Sequence, residues 1–149
     1  MWNDVLDAGK EFGIKPCGLG ARDTLRIESC YSLYGHELSD EITPIEAGIS
    51  WVVSNKKTNF IGKDVLLKQK IVGTLRTNTA FELIDKGIAR EHYKIYLGGK
   101  EIGMVSSGTY SPTFKKSLGM CFIAKEYAKP GAEIDIEIRE KKYKAKIVK

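Results

Sequence analysis

Side chains that bind metals or attack substrates are scarce in this chain. It carries two histidines and three cysteines in 149 residues. His36 and His92 stand apart, and Cys17, Cys30 and Cys121 form no CxxC pair. A zinc site needs closely spaced soft ligands, and a disulfide scaffold an even, denser set. Free thiols in a reducing compartment are the reading that remains. No run approaches the roughly 18 apolar residues of a membrane span, and no signal-peptide pattern is present. The expected location is therefore cytoplasmic, with no membrane partner. GxSxG, HExxH, P-loop and GxGxxG patterns are all missing, which removes the common hydrolase, zinc-protease, NTPase and dinucleotide-binding classes. Ser106-Ser107-Gly108 reads as a plain turn, since no histidine is placed beside it by a known local signature. His92 reads as a strand-edge residue. No catalytic residue and no metal ligand is assigned.

Positive charge is present in excess, with a formal net charge of +5 and a pI near 9.0. It is spread along the chain and mixed with acids, apart from the run "IREKKYKAKIVK" over residues 138–149. Lysines alternating along a strand form a solvated face, and the interleaved exposed aromatics of a stacking platform are lacking, so nucleic acid is not the expected partner. A hydrophobic content of 42% is ordinary for a globular chain of one domain, or of two small ones.

Periodicity divides the chain. "WNDVLDAGKEF" places Trp2, Val5, Leu6 and Phe12 near one helical face, with Gly13 as a stop. After the loop "IKPCGLG", Ile27, Cys30, Tyr31 and Tyr34 fall at helical spacing, and Asp23 sits three residues before Arg26 as a weak surface pair. From Ile45 to Val53 the period becomes two, which predicts a strand. "FIGKDVLLKQK" predicts a short helix. From Gly73 onward short alternating runs are separated by turn residues. Among the turns are Gly98-Gly99, suited to a type I′ hairpin, and Pro130-Gly131. Ile134, Ile136 and Ile138 face one way, answered by Tyr143, Ala145 and Ile147. Five or six such strands predict a small antiparallel barrel or sandwich. The expected fold is an α+β segment over residues 1–72 followed by a small antiparallel β-barrel over residues 73–149.

"GLGARDTLRIE", residues 18–28, asks why an arginine stands at a helix start, where the helix dipole opposes it. Arg22 is either paired with Asp23 or Glu28, or aimed at an anionic ligand. Tyr31 is either a core aromatic or a ring laid against a planar ligand.

A resemblance covers nearly the whole chain. "CGLGARDTLRIESCYSLYGHELSDEITPIEAGISWVV" resembles the aminomethyltransferase segment (the T-protein of the glycine cleavage system) that opens on GLGARD or GLAARD and runs through LYG and T-P to a tryptophan. "NFIGKDVLLKQK" is similar to the family's F-x-G-K/R helix, "GKEIGMVSSGTYSPTFKKSLGMCFI" to its G-x-V-T-S-G-x-x-S-P-x-L pattern, and "GAEIDIEIREKKYKAKIVK" to its closing hairpin. The resemblance is to the C-terminal half of the aminomethyltransferase folate-binding fold. It implies transfer of a one-carbon unit from an aminomethyl group on the lipoyl arm of the H-protein to tetrahydrofolate, with release of ammonia. Arg22 matches an arginine that lines the folate site in that family, and Tyr31 a tyrosine that touches folate in some members. Tetrahydrofolate and lipoylated H-protein are thus the implied substrate and partner. The family's catalytic aspartate and its TGEDG segment lie upstream of the resemblance, and its sequences run on to a terminal basic tail. A separate chain carrying the upstream half, or self-association through an exposed apolar face, is the further expected partnership. Relatives that bind folate in iron–sulfur protein maintenance carry a K-G-C-Y-x-G-Q-E stretch that is absent here.

Overall fold

Six strands, each with one apolar face, close on themselves in the computed structural model, which describes residues 1–148. They are β1 (Arg76–Leu83), β2 (Lys94–Leu97), β3 (Lys100–Ser111), β4 (Lys116–Ala124), β5 (Glu133–Ile138) and β6 (Lys141–Ile147). All pairs are antiparallel, in the order β1-β4-β3-β2-β5-β6, and β6 returns to β1 through Phe81 opposite Ile147. Closure leaves no free edge for another chain to pair with. Alternation does the sorting: Ile134, Ile136 and Ile138 point inward while Glu133, Asp135 and Glu137 point out. Phe81, Ile95, Val105, Cys121, Ile123, Ala145 and Ile147 complete the interior. Burial pushes the Cys121 thiol far up, so it remains a neutral core group. Lys142, Lys144 and Lys146 lie on the solvated side of β6, as the alternation required.

Turn chemistry fixes the register. Gly98 and Gly99 both have positive φ, 58° and 86°, and join β2 to β3 with Leu97 opposite Lys100. The β5–β6 turn uses Arg139 and Glu140 in the same left-handed region, at 50° and 64°, without glycine's freedom.

Ahead of the barrel lie α1 (Trp2–Gly9), continued by a 3₁₀ turn at Lys10–Phe12, then α2 (Leu19–Glu28) and α3 (Lys63–Val72). The helices fall where periodicity placed them, with boundaries moved: α2 begins at Leu19, inside the expected loop, and α3 at Lys63. Tyr31 and Tyr34 do not extend the α2 stripe, because the helix ends at Glu28. Cys30 takes a left-handed φ of 55°, the Cys30 amide bonds the Ile27 carbonyl, and the Tyr31 amide bonds the Arg26 carbonyl at 2.7 Å. That is a Schellman cap with cysteine in the place glycine usually holds.

The expected strand over Ile45–Val53 is not formed. Thr43 and Glu46 cap each other reciprocally: Glu46 Oε2 accepts the Thr43 amide at 3.0 Å, and Thr43 Oγ1 accepts the Glu46 amide at 3.2 Å. Pro44 fits the first helical position, and a single turn follows until Gly48, at φ 76°, ends it. A 3₁₀ turn at Ser50–Val52 comes next. The alternation of apolar residues was real, but the capping box outweighed it.

This capped turn is clamped to the barrel. Arg76 Nε donates to Glu46 Oε1 at 3.0 Å, Arg76 Nη2 to the Glu41 carbonyl at 3.2 Å, and the Asn78 amide to the Glu46 carbonyl at 2.7 Å. Burial works to raise the Glu46 pKa. The Thr43 amide, the Arg76 hydrogen bond and the Arg76 charge outweigh it and hold the carboxyl below its ordinary value. A depressed carboxyl stabilises the fold above its unfolded pKa and loses that contribution as pH falls through the folded value. Glu46→Gln should therefore be less stable than wild type at neutral pH. The gap, followed by urea denaturation, should narrow below about pH 4, and a gap independent of pH would contradict the assignment.

Candidate functional site

Helix α2 lies along β3, and short polar side chains join them. Thr24 Oγ1 is 3.2 Å from Thr109 Oγ1, Ser111 Oγ donates to Glu28 Oε1 at 2.5 Å, and Thr113 Oγ1 donates to Glu28 Oε2 at 3.1 Å. Ile27 is buried beneath them. Threonine and serine suit this seam because they bond across it without holding the helix off the strand.

Between those contacts sits a buried charged cluster. Glu37 is fully buried and accepts four hydrogen bonds. Arg26 Nη1 and the Leu33 amide reach its Oε2 at 2.9 and 3.1 Å; the Ser106 and Ser107 hydroxyls each reach Oε1 at 2.6 Å. Arg26 is 8% exposed and spends its remaining donors on Asp23, the Ser107 hydroxyl and the Tyr31 carbonyl. Asp23 and Arg26 do pair, as their spacing suggested, but the pair is the edge of a buried network and not a surface ornament. Ser106 and Ser107 lie within β3 and not in a turn. Their hydroxyls are committed to a carboxylate, which is no arrangement for a nucleophile.

Arg22 stands one helical turn before Arg26, on the outer side of α2. Both compensating acids considered for it are taken, Asp23 by Arg26 and Glu28 by Ser111 and Thr113. Its guanidinium has no hydrogen-bond or ion-pair partner among the described residues. It borders a cavity of about 530 Å³ walled also by His36, Arg90, Glu91 and His92. His36 Nδ1 is 3.0 Å from Glu91 Oε1 and 3.3 Å from the Ser106 carbonyl, so that nitrogen carries the ring proton. Arg90 donates to the Gly108 carbonyl at 3.2 Å. His92 occupies a turn with φ 68° just before β2.

Tyr31 is exposed and lines a different cavity, of about 500 Å³, together with Trp51, Leu38, Ile49, Asn78 and Met120. The core reading of this tyrosine is overturned. The buried Asn78 Oδ1 in that wall has no hydrogen-bond partner among the described residues. The fold thus does not bring Arg22 and Tyr31 to one cavity, but it ties both to Arg26: one through the helix, the other through its carbonyl.

Known proteins are similar to this chain in sequence and fold. Residues 76–149 match the glycine cleavage T-protein C-terminal barrel domain, and residues 1–57 match the GCVT N-terminal domain. The chain belongs to the glycine cleavage T-protein family, as a C-terminal portion. It is 54% identical over 149 residues to an aminomethyltransferase of Geobacillus sp. (strain WCH70), covering 99% of this chain and 41% of that protein. An aminomethyltransferase of Thermoanaerobacter pseudethanolicus is 51% identical over 148 residues, with 99% and 40% covered. The crystal structure of the glycine cleavage system aminomethyltransferase T from Bartonella henselae superposes with a TM-score of 0.83 at 28% identity, covering 89% of this chain and 38% of that one. The chain therefore spans about two-fifths of the length of the curated T-proteins it matches.

Among the described residues, no helix is long and apolar enough to cross a membrane, and no group of three or more metal-ligating side chains is gathered. The Arg26–Glu37 network was missed by sequence reasoning, because its partners are separated by 11 and by about 70 positions. Only the Asp23–Arg26 spacing hinted at it.

Removing one partner of a buried pair leaves an uncompensated charge, at a cost of about 3–5 kcal/mol. Arg26→Met should destabilise the protein by about that amount in urea unfolding. Arg22→Met, at an exposed and unpaired position, should change stability by less than about 0.5 kcal/mol. Similar, small effects for both would contradict the ranking of these two arginines.

Proposed function

We propose that this chain forms part of the tetrahydrofolate site of an aminomethyltransferase of the glycine cleavage system, with Arg22 and Tyr31 as folate-contacting residues. The observation that carries this reading is the unpaired Arg22 guanidinium, held beside a cavity by a helix whose own position is fixed through Arg26. The first turn of α2 contains no acid, and its Gly18 cap offers no side-chain acceptor. That end is electropositive and suits a carboxylate or another electron-rich group of the ligand. Tyr31 and Trp51 offer flat faces to a conjugated ring, and Asn78 Oδ1 an acceptor for a ring or amide N–H. These are features a reduced folate can use.

In this account the chain binds and orients; it supplies no acid–base group. Tetrahydrofolate brings the nucleophilic nitrogens, and the aminomethyl carbon arrives on the lipoyl arm of the H-protein. Ammonia leaves and the one-carbon unit passes to the folate. The catalytic carboxylate belongs to the upstream portion of the enzyme, in the same polypeptide or in a separate one. We further propose a division into a folate-wall unit over residues 1–72 and a barrel unit over 73–149, and a cytoplasmic location.

Calorimetric titration with a stable reduced folate tests the site. Saturable binding to the wild-type chain, weakened at least about 10-fold in Arg22→Ala, is the expected result. Equal affinities for the two would remove Arg22 from the site.

A further inference from the structure

The segment Ser54-Asn55-Lys56-Lys57-Thr58-Asn59 is polar throughout, and each of its residues is exposed. Ordering such a segment costs conformational entropy, and it has no apolar side chain whose burial could offset that cost. Two half-buried lysines of α3 supply the hold instead. Lys70 Nζ donates to the Val53 carbonyl and to Asn55 Oδ1, both at 2.9 Å. Lys63 Nζ donates to the Thr58 carbonyl at 2.7 Å and to the Lys57 carbonyl at 3.1 Å. Among the described residues, nothing else joins residues 53–59 to an α-helix or strand by a hydrogen bond.

Lys63 and Lys70 are seven positions apart, so they stand two turns from each other on one face of α3. The later lysine takes the earlier acceptors and the earlier lysine the later ones. Residues 53–58 therefore lie antiparallel along that face, as a strap. Lys63 also sits in the first turn of α3, where the helix dipole disfavours a cation, and the two carbonyl oxygens of the strap meet that charge. One lysine contact at a surface contributes little. Two ammonium groups, each directing two of three donors to the same strap, restrain both of its ends at once.

What the strap restrains lies just before it. The Val53 carbonyl held by Lys70 follows directly on the 3₁₀ turn Ser50–Val52, and the Val53 amide closes that turn on the Ser50 carbonyl at 3.2 Å. Trp51 is the middle residue of the turn. It is exposed, and it lines the same cavity as Tyr31. An exposed indole has little packing to fix it, so its place depends on the backbone that carries it.

We infer that Lys70 is a positioning residue for Trp51, acting through the Val53 carbonyl, and that Lys63 secures the far end of the same strap. With both ammonium groups seated, the turn is closed and Trp51 is a fixed flat face in the wall of the Tyr31 cavity. Without the Lys70 donor, the strap leaves α3 at Val53 and Asn55, and Trp51 becomes mobile with it. The inference rests on the proposed function only for the ligand that meets Trp51; the hold on Trp51 stands on the strap contacts alone.

The test places 5-fluorotryptophan at Trp51 alone, in the full 149-residue chain carrying Trp2→Phe, because the chain has 2 tryptophans. Lys70→Met should move the Trp51 fluorine resonance toward its unfolded position and speed trypsin cleavage after Lys56 or Lys57 about 10-fold. Lys70→Arg, which keeps donors for both acceptors, should retain the wild-type resonance and cleavage rate. Lys68 is an exposed lysine of the same helix with no partner among the described residues, so Lys68→Met should change neither readout. Helix α3 buries no residue, so the thermal midpoint of the barrel should hold in all three variants, which separates a released strap from lost folding. An unmoved resonance in Lys70→Met, or equal release in Lys70→Arg or Lys68→Met, would overturn the inference. Titration with a stable reduced folate separates it from the functional reading. Saturable binding by wild type, weakened about 5-fold or more in Lys70→Met, is expected. A wild-type chain that binds no folate, with its resonance still displaced by Lys70→Met, sinks the folate reading alone. Folate bound equally by wild type and Lys70→Met sinks the positioning role alone.

Discussion

Glu37 is the group on which the relation between helix and barrel depends. A carboxylate with no solvent contact is costly unless every lone pair is used, and here two serines of β3, one backbone amide and one arginine use them. Those four partners come from three parts of the chain: α2, the loop at residues 33–37, and the barrel wall. Satisfying Glu37 therefore fixes all three at once. Arg26 has a matching constraint, since its donors must also be met, and it meets them with Asp23, Ser107 and the carbonyl of Tyr31. Shape packing adds Ile27 but little else at this seam, so the polar cluster carries the orientation.

The fixed helix then determines what Arg22 can do. One turn separates it from Arg26, and the acids nearest in sequence are already engaged. An arginine with committed neighbours and no partner of its own among the described residues, at the amino end of a helix, is what supports its proposed role toward a negatively charged or electron-rich group. Tyr31 follows the Schellman cap immediately, and its backbone is tied down from both directions: the amide to the Arg26 carbonyl and the carbonyl to the Arg26 guanidinium. The two residues face separate cavities, and any ligand that meets both has to extend past the end of α2.

Most of the barrel was legible because local signals and the final fold agree there; Ser106–Gly108, read as a turn, is the exception and lies within β3. Gly98-Gly99 demands a hairpin and Ile134, Ile136 and Ile138 demand a buried face; the alternation of five or six strands suits a barrel or a sandwich, and the pairing of β6 with β1 closes the barrel. Residues 43–53 misled because two local signals competed. Alternating apolar residues suggested a strand, while Thr43-Pro44-Ile45-Glu46 is a capping box with proline at its first helical position, and hydrogen bonds made within four residues form before long-range pairing. The α2 stripe was overextended for a related reason: a left-handed cysteine ends the helix where no glycine announces it. The Arg26–Glu37–Ser106–Ser107 cluster had no local signature, since it exists only when segments about 70 residues apart are brought together. Arg22 could be singled out from its position at a helix start, but its freedom could not, because that depends on where Asp23 and Glu28 turn.

The central claim is that α2 belongs to the cooperative unit of the barrel through the Glu37 cluster, whereas α1 does not. Native-state amide hydrogen exchange reads this directly. The account predicts that the α2 amides from Arg26 to Glu28 are protected to the same degree as those of β3, while α1 amides exchange near the rate of an unstructured chain. Exchange of α2 as fast as α1, with the barrel still protected, would contradict it.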